Sequence, residues 1–197
     1  GIYPTPNPPP PFPLLKRGGK KKVGETKIDQ TRGEEKKGYL TINLRPELCS
    51  EPVNPSFIGH RQQHNTCVIY TSMEFNPIKE NEKAGLLAFM NEEHYYFICK
   101  SIQDQKPVIQ LYKGVSDANN VKSELITSQY ITDKNMQKEV KIKMDIDGKV
   151  VSFKYSFDNS NWISLIENVD ATYLKAEIPR DFTGLVVGMY ATSSGIN

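Results

Sequence analysis

The sequence predicts an all-β fold, an antiparallel β-sandwich of the jelly-roll kind, and three observations carry that prediction. Runs in which apolar and polar residues alternate recur at roughly 8 to 12 residue spacing. Gly, Pro, Asn and Asp fill the intervals between them, as turn chemistry requires. No apolar i, i+3, i+4, i+7 pattern persists long enough to make a helix of any length, so the alternation of strands and helices needed for a parallel sheet is missing.

Residues 1 to 13, GIYPTPNPPPPFP, hold seven of the thirteen prolines. Proline supplies no amide donor, so this stretch predicts an extended polyproline-like strap or linker. Residues 16 to 37 are basic, glycine-containing and poor in large apolar side chains, which leaves little to offset the entropy of ordering. The division predicted is therefore a linker or strap over 1–37 and a β-sandwich domain over 38–197. Tyr39, Thr41, Asn43 and Arg45 alternate with Leu40, Ile42 and Leu44 up to Pro46, a half-buried strand. Phe57 to His64, FIGHRQQH, is a dense polar run expected as a loop, and it leads into the alternation Cys67 to Ser72. Val68 to Phe75, Ala84 to Met90, His94 to Cys99, Pro107 to Tyr112 and Ser123 to Ile131 follow as strands. Glu139 to Ile146 alternates strictly, Asp147-Gly148 marks a hairpin, and Lys149 to Phe157 answers it. Trp162 to Ile166 and Gly184 to Tyr190 complete the set.

Composition narrows the function. The formal charge of +2 over 197 residues divides unevenly: residues 1–37 carry nine basic against four acidic groups, and the remainder is mildly acidic. Lys16-Arg17 and Lys20-Lys21-Lys22 lack the interleaved aromatics and fold motif of a nucleic-acid binder, so no nucleic-acid partner is expected. No window approaches the ~18 apolar residues of a membrane span, so no membrane partner is expected either. Cys49, Cys67 and Cys99 form no CxxC pair, and their spacing predicts small buried hydrophobes rather than a disulfide framework or a zinc site.

Candidate chemistry is sparse. His60 and His64 lie four apart, but Gly59 and strand-like text bound them and no third ligand is near in sequence, so no metal is expected. Asp145, Asp147 and Gly148 are followed by Lys149 and two valines where a calcium loop needs oxygen ligands. The adjacent pairs Glu34-Glu35 and Glu92-Glu93 are not held apart as glycosidase carboxylates are, and neither a phosphate-binding glycine loop nor a GxSxG elbow occurs. No catalytic residue and no cofactor are therefore assigned. Among the aromatics, Tyr95, Tyr96 and Trp162 are candidates for stacking on a sugar, against the alternative of core packing.

Four segments in order, PSFIGHRQQH, AGLLAFMNEEHYYFI, VSFKYSFDNSNWISL and FTGLVVGMYATSSG, resemble the C-terminal concanavalin A-like β-sandwich domain of glycoside hydrolase family 43. That family contains bacterial β-xylosidases and α-L-arabinofuranosidases, and the resemblance runs from about Gly38 to Asn197. It implies an accessory role in xylan or arabinan degradation, with catalysis by an N-terminal five-bladed β-propeller of the same polypeptide. It further implies a rim of the substrate pocket, or a domain interface, made by Phe57, His60, Arg61, Gln62, Gln63 and His64, with a xylo- or arabino-oligosaccharide as the ligand of the full enzyme. Arg61 is the natural anchor because its planar fork binds two acceptors at once. A final Asp- and aromatic-rich strand would be expected after Asn197. The alternative reading is an independent, lectin-like carbohydrate-binding module.

Overall fold

A computed structural model describes residues 12–17, 39–62, 64–117, 120–158, 160–174 and 184–194. Its strands are β1 (Phe12–Arg17), β2 (Tyr39–Ile42), β3 (Ser56–Arg61), β4 (Thr66–Glu74), β5 (Lys83–Phe89), β6 (Tyr95–Gln103), β7 (Lys106–Asp117), β8 (Asn120–Tyr130), β9 (Val140–Asp147), β10 (Val150–Ser156), β11 (Ile163–Asp170) and β12 (Val186–Thr192). They form two six-stranded sheets, ordered β11-β10-β9-β4-β1-β2 and β3-β12-β5-β6-β7-β8. Every pairing is antiparallel except those of β1, so the predicted sandwich is the observed one.

The period of two decides what lies between the sheets. On β9, Val140, Ile142, Met144 and Ile146 are buried while the intervening Lys141, Lys143 and Asp145 face outward. Val151, Phe153 and Tyr155 of β10 continue this layer, and Leu86, Tyr96, Ile98, Ile109, Leu111 and Met189 meet it from the second sheet. Tyr96 and Phe153 touch edge to face across the interface, centroids 5.6 Å apart, the arrangement ring quadrupoles favour. Gly148 turns the β9–β10 hairpin at φ +60°, a conformation that glycine enters without a side-chain penalty.

A second apolar cluster covers the other face of the second sheet: Cys49, Leu87, Tyr95, Phe97, Cys99 and Tyr190, with Phe57, Phe89 and Tyr112 at its margin. This explains why Tyr-Tyr-Phe-Ile-Cys in β6 shows no alternation, since the strand is buried on both faces. The segment after β2 crosses this face. Arg45 O accepts from Ser193 N at 2.8 Å and from Thr192 Oγ1 at 3.1 Å, and Cys49 N donates to the Tyr190 hydroxyl at 3.1 Å. All three cysteines are unbridged.

Two segments differ from expectation. Residues 12–17, assigned by sequence to the linker, run as β1 between β4 and β2 and parallel to both. The prohibition on a proline in a central strand is met by an irregular ladder. The β1–β4 register shifts between Phe12 and Leu15, where Pro13 lies, and pairing with β2 begins only at Leu14. Ser56 to Arg61, expected as a loop, is the edge strand β3, drawn into the sheet by main-chain bonds to β12.

Candidate functional site

β3 reads across β12 in strict register: Phe57 opposite Tyr190, Gly59 opposite Gly188, Arg61 opposite Val186. Pleating puts Phe57, Gly59 and Arg61 on the outer side of the sheet and Ile58 against the inter-sheet core. Phe57 is held by Phe89, ring centroids 6.0 Å apart. The two facing glycines let the strands come together closely: a Cβ on Gly188 would stand 2.0 Å from Ile58 O and 2.3 Å from Gly59 Cα. The aliphatic stem of Arg61 lies along Gly184, its Cδ 3.2 Å from where a Cβ would be.

Beyond Arg61 the chain turns back. Gln62 N donates to Leu185 O at 2.7 Å, and the Gln62 amide Nε2 donates to His64 O at 2.6 Å, tying Gln62 to His64. Burial raises the Cys67 thiol pKa, and hydrogen bonding to the Gln62 side chain opposes that shift. The far side of the bend rests on the β9–β10 hairpin, where Gly148 N donates to Asn65 O at 2.9 Å and Thr66 Oγ1 to Asp147 Oδ1 at 3.2 Å. His60, Arg61 and His64 are exposed at this tip, Gln62 is half-buried and Phe57 is the half-buried root. Gln63 lies outside the described residues. The structure thus brings five of the six rim candidates into one strand and its terminal bend, with His60, Arg61 and His64 exposed at the tip and Phe57 half-buried at the root. Among the described residues no three His, Cys, Asp or Glu side chains come together to hold a metal ion.

The stacking candidates are placed otherwise. Tyr95 and Tyr96 are each 1% exposed. Tyr96 belongs to the inter-sheet core and its hydroxyl donates to Asp170 O at 3.1 Å, while Tyr95 packs beneath Gly114 in the outer cluster. Adjacent residues of a strand buried on both faces both lose their open faces, so this pair offers no exposed platform for a glycan. Trp162 is half-buried on the outside of the first sheet, with Lys143 Nζ 4.4 Å from its ring centroid.

Sequence reasoning missed a cavity on the outer face of the second sheet, about 140 Å³ in volume, between the covering loop at Cys49 and the rings of Tyr95, Phe97, Tyr112 and Tyr190. Its walls come from separate strands, and only the shared parity of Tyr95 and Phe97 was available in the sequence.

Comparison with known proteins matches residues 26–197 to the family described as the beta xylosidase C-terminal Concanavalin A-like domain. A xylosidase/arabinosidase of Butyrivibrio fibrisolvens is 27% identical over 158 residues, covering 80% of this chain and 29% of the relative. A non-reducing end alpha-L-arabinofuranosidase of Bacteroides ovatus is 22% identical over 161 residues, with 82% and 29% covered. The chain therefore spans less than a third of the length of these curated relatives. Among solved structures, that of a GH43_12 protein retrieved from the capybara gut metagenome is similar at a TM-score of 0.72 and 25% identity, covering 85% of this chain and 30% of that one. The xylan beta-1,4-xylosidase of Bacillus halodurans shares the fold at a TM-score of 0.65. With the sandwich fold and a match over residues 26–197 in agreement, the chain belongs to the family of beta xylosidase C-terminal Concanavalin A-like domains.

Proposed function

We propose that this chain is the accessory sandwich of a xylan- or arabinan-degrading β-xylosidase or α-L-arabinofuranosidase, seated against an N-terminal catalytic β-propeller of the same polypeptide. In this reading the tip of β3 supplies the contact, and residues 1–11 belong to the connection between the two domains. His60, Arg61 and His64 present donors to the propeller or to a xylo- or arabino-oligosaccharide at the rim of its pocket, while Phe57 and the Gln62 bend hold them in position. The observation that carries the proposal is the exposure of these polar side chains at the end of an edge strand bonded along its length to β12, with the bend beyond it tied by a main-chain bond to the β9–β10 hairpin. Burial of Tyr95 and Tyr96 weighs against the lectin-like alternative, which needs open rings.

The test is Arg61→Ala in the full-length enzyme. A charge-assisted hydrogen bond contributes about 1.5–3 kcal/mol, so kcat/KM on an aryl xyloside or arabinofuranoside should drop by roughly tenfold or more, with the melting temperature of the sandwich unchanged. Wild-type kinetics together with wild-type association of the two domains would overturn the role assigned to this tip.

A further inference from the structure

We propose that the cavity on the outer face of the second sheet is a binding site for a small ring carboxylate of benzoate size, with Lys83 taking the carboxylate and the surrounding aromatic rings taking the ring. The site is separate from the β3 tip. Arg61 lies opposite the first residue of β12, Val186, whereas Lys83 lies opposite its last, Thr192. At about 3.3 Å per residue, that is a separation of roughly 20 Å.

Size sets the first limit on the ligand. A cavity of about 150 Å³ accepts benzene, and this one measures about 140 Å³, room for one six-membered ring and too little for a disaccharide. Wall chemistry sets the second. Phe97 and Tyr190 stand edge to face with centroids 4.7 Å apart, and together with Tyr95 and Tyr112 they offer an apolar slot. Burial holds the Tyr95, Tyr112 and Tyr190 hydroxyls well above the usual phenol range, so all three stay neutral near neutral pH.

Charge sets the third. Lys83 Nζ lies 5.5 Å from the Tyr112 ring centroid and donates at 3.2 Å to both Glu80 O and Ser194 Oγ, two uncharged acceptors. Among the described residues no carboxylate comes within ion-pair distance of it. Burial lowers the pKa of this ammonium, the Glu80 carboxylate opposes that shift only in part, and a bound anion would offset the remaining loss of hydration. One cation with a donor to spare, at the margin of a neutral aromatic slot, selects a planar acid over its neutral analogue. The aromatic walls stand on paired strands of one sheet, and the covering loop is tied to them by the bond from Cys49 N to the Tyr190 hydroxyl, so the slot is preformed.

The experiment is a calorimetric or NMR titration of the 197-residue chain with sodium benzoate, benzyl alcohol and D-glucose. Benzoate should bind about tenfold more tightly than benzyl alcohol, the factor a charge-assisted contact supplies, and D-glucose more weakly than either. Lys83→Met should abolish the preference for the acid and Lys83→Arg should keep it. Ser123 lines the mouth from the exposed edge strand β8, so Ser123→Phe should block both ring ligands in a chain that still folds, whatever Lys83→Met does to stability. Failure of benzoate to bind, equal affinity for benzoate and benzyl alcohol, retention of the preference in a folded Lys83→Met chain, or undiminished binding in Ser123→Phe would each overturn the proposal.

Discussion

Lys100 is fully buried on the inner side of β6, where its ammonium donates to the carbonyls of Met136 and Lys138 in the loop that precedes β9. Those bonds tie the loop to the sheet, but burial lowers the pKa of Lys100 to about 8. The folded pKa is below the unfolded one, so the penalty is complete below about pH 8, shrinks as pH rises toward the ordinary lysine value, and is gone above it. Lys100→Met removes this dependence. Between about pH 7 and pH 10 the wild-type chain should gain roughly 2 kcal/mol relative to the variant. Burial pushes the Cys49 and Cys99 thiols up to about 12, which erodes stability at alkaline pH, but that contribution is common to both chains and cancels in the difference. Urea unfolding of the pair at the two pH values reads the effect, and parallel pH profiles would show that Lys100 does not titrate in this interval.

At the scale of strands, the sequence was legible where one face is wet and opaque where neither is. The β9–β10 hairpin follows directly from KIKMDIDGKVVSFKY, because Lys, Asp and Ser alternate with core residues across a glycine turn. β3 escaped notice because its main-chain bonds to β12, which no local pattern encodes, make a strand of a segment whose last residues are polar. The exposure of His60, Arg61 and His64 was legible, because donors crowded into FIGHRQQH mark a segment that a core would exclude. Their anchorage was not, since it depends on Gly188 and Phe89, far away in sequence. That anchorage can be tested. Alanine at Gly188 would drive a Cβ into Ile58 O, a backbone atom with no rotamer to escape by, so β3 must part from β12. The expected loss is about 3 kcal/mol, at the upper end of overpacking effects, read as a lower urea midpoint at an unchanged slope. An unaltered midpoint would mean that the two strands are not so closely opposed.

Across the whole molecule, the first sheet depends on a strand that precedes the residues matched to the family. The family match begins at residue 26, yet β1 at 12–17 separates β4 from β2 and is the neighbour through which β2 joins its sheet. β2 carries Leu40 and Ile42, 9% and 6% exposed, into the inter-sheet core. Removal of residues 1–17 should therefore leave β2 attached, among the described residues, by its side chains and by the bonds from Ser193 and Thr192 to Arg45 O just beyond it. Fully burying a Leu or Ile contributes about 1.5–3 kcal/mol, so release of β2 forfeits up to several kcal/mol, while the second sheet, whose six strands pair among themselves, keeps its register. Hydrogen exchange distinguishes this from global weakening: the amides of Leu40 and Ile42 should lose protection first, with those of β5 and β6 still slow. If the truncated chain keeps its stability and the protection of β2, then β1 is dispensable and the sandwich closes without it.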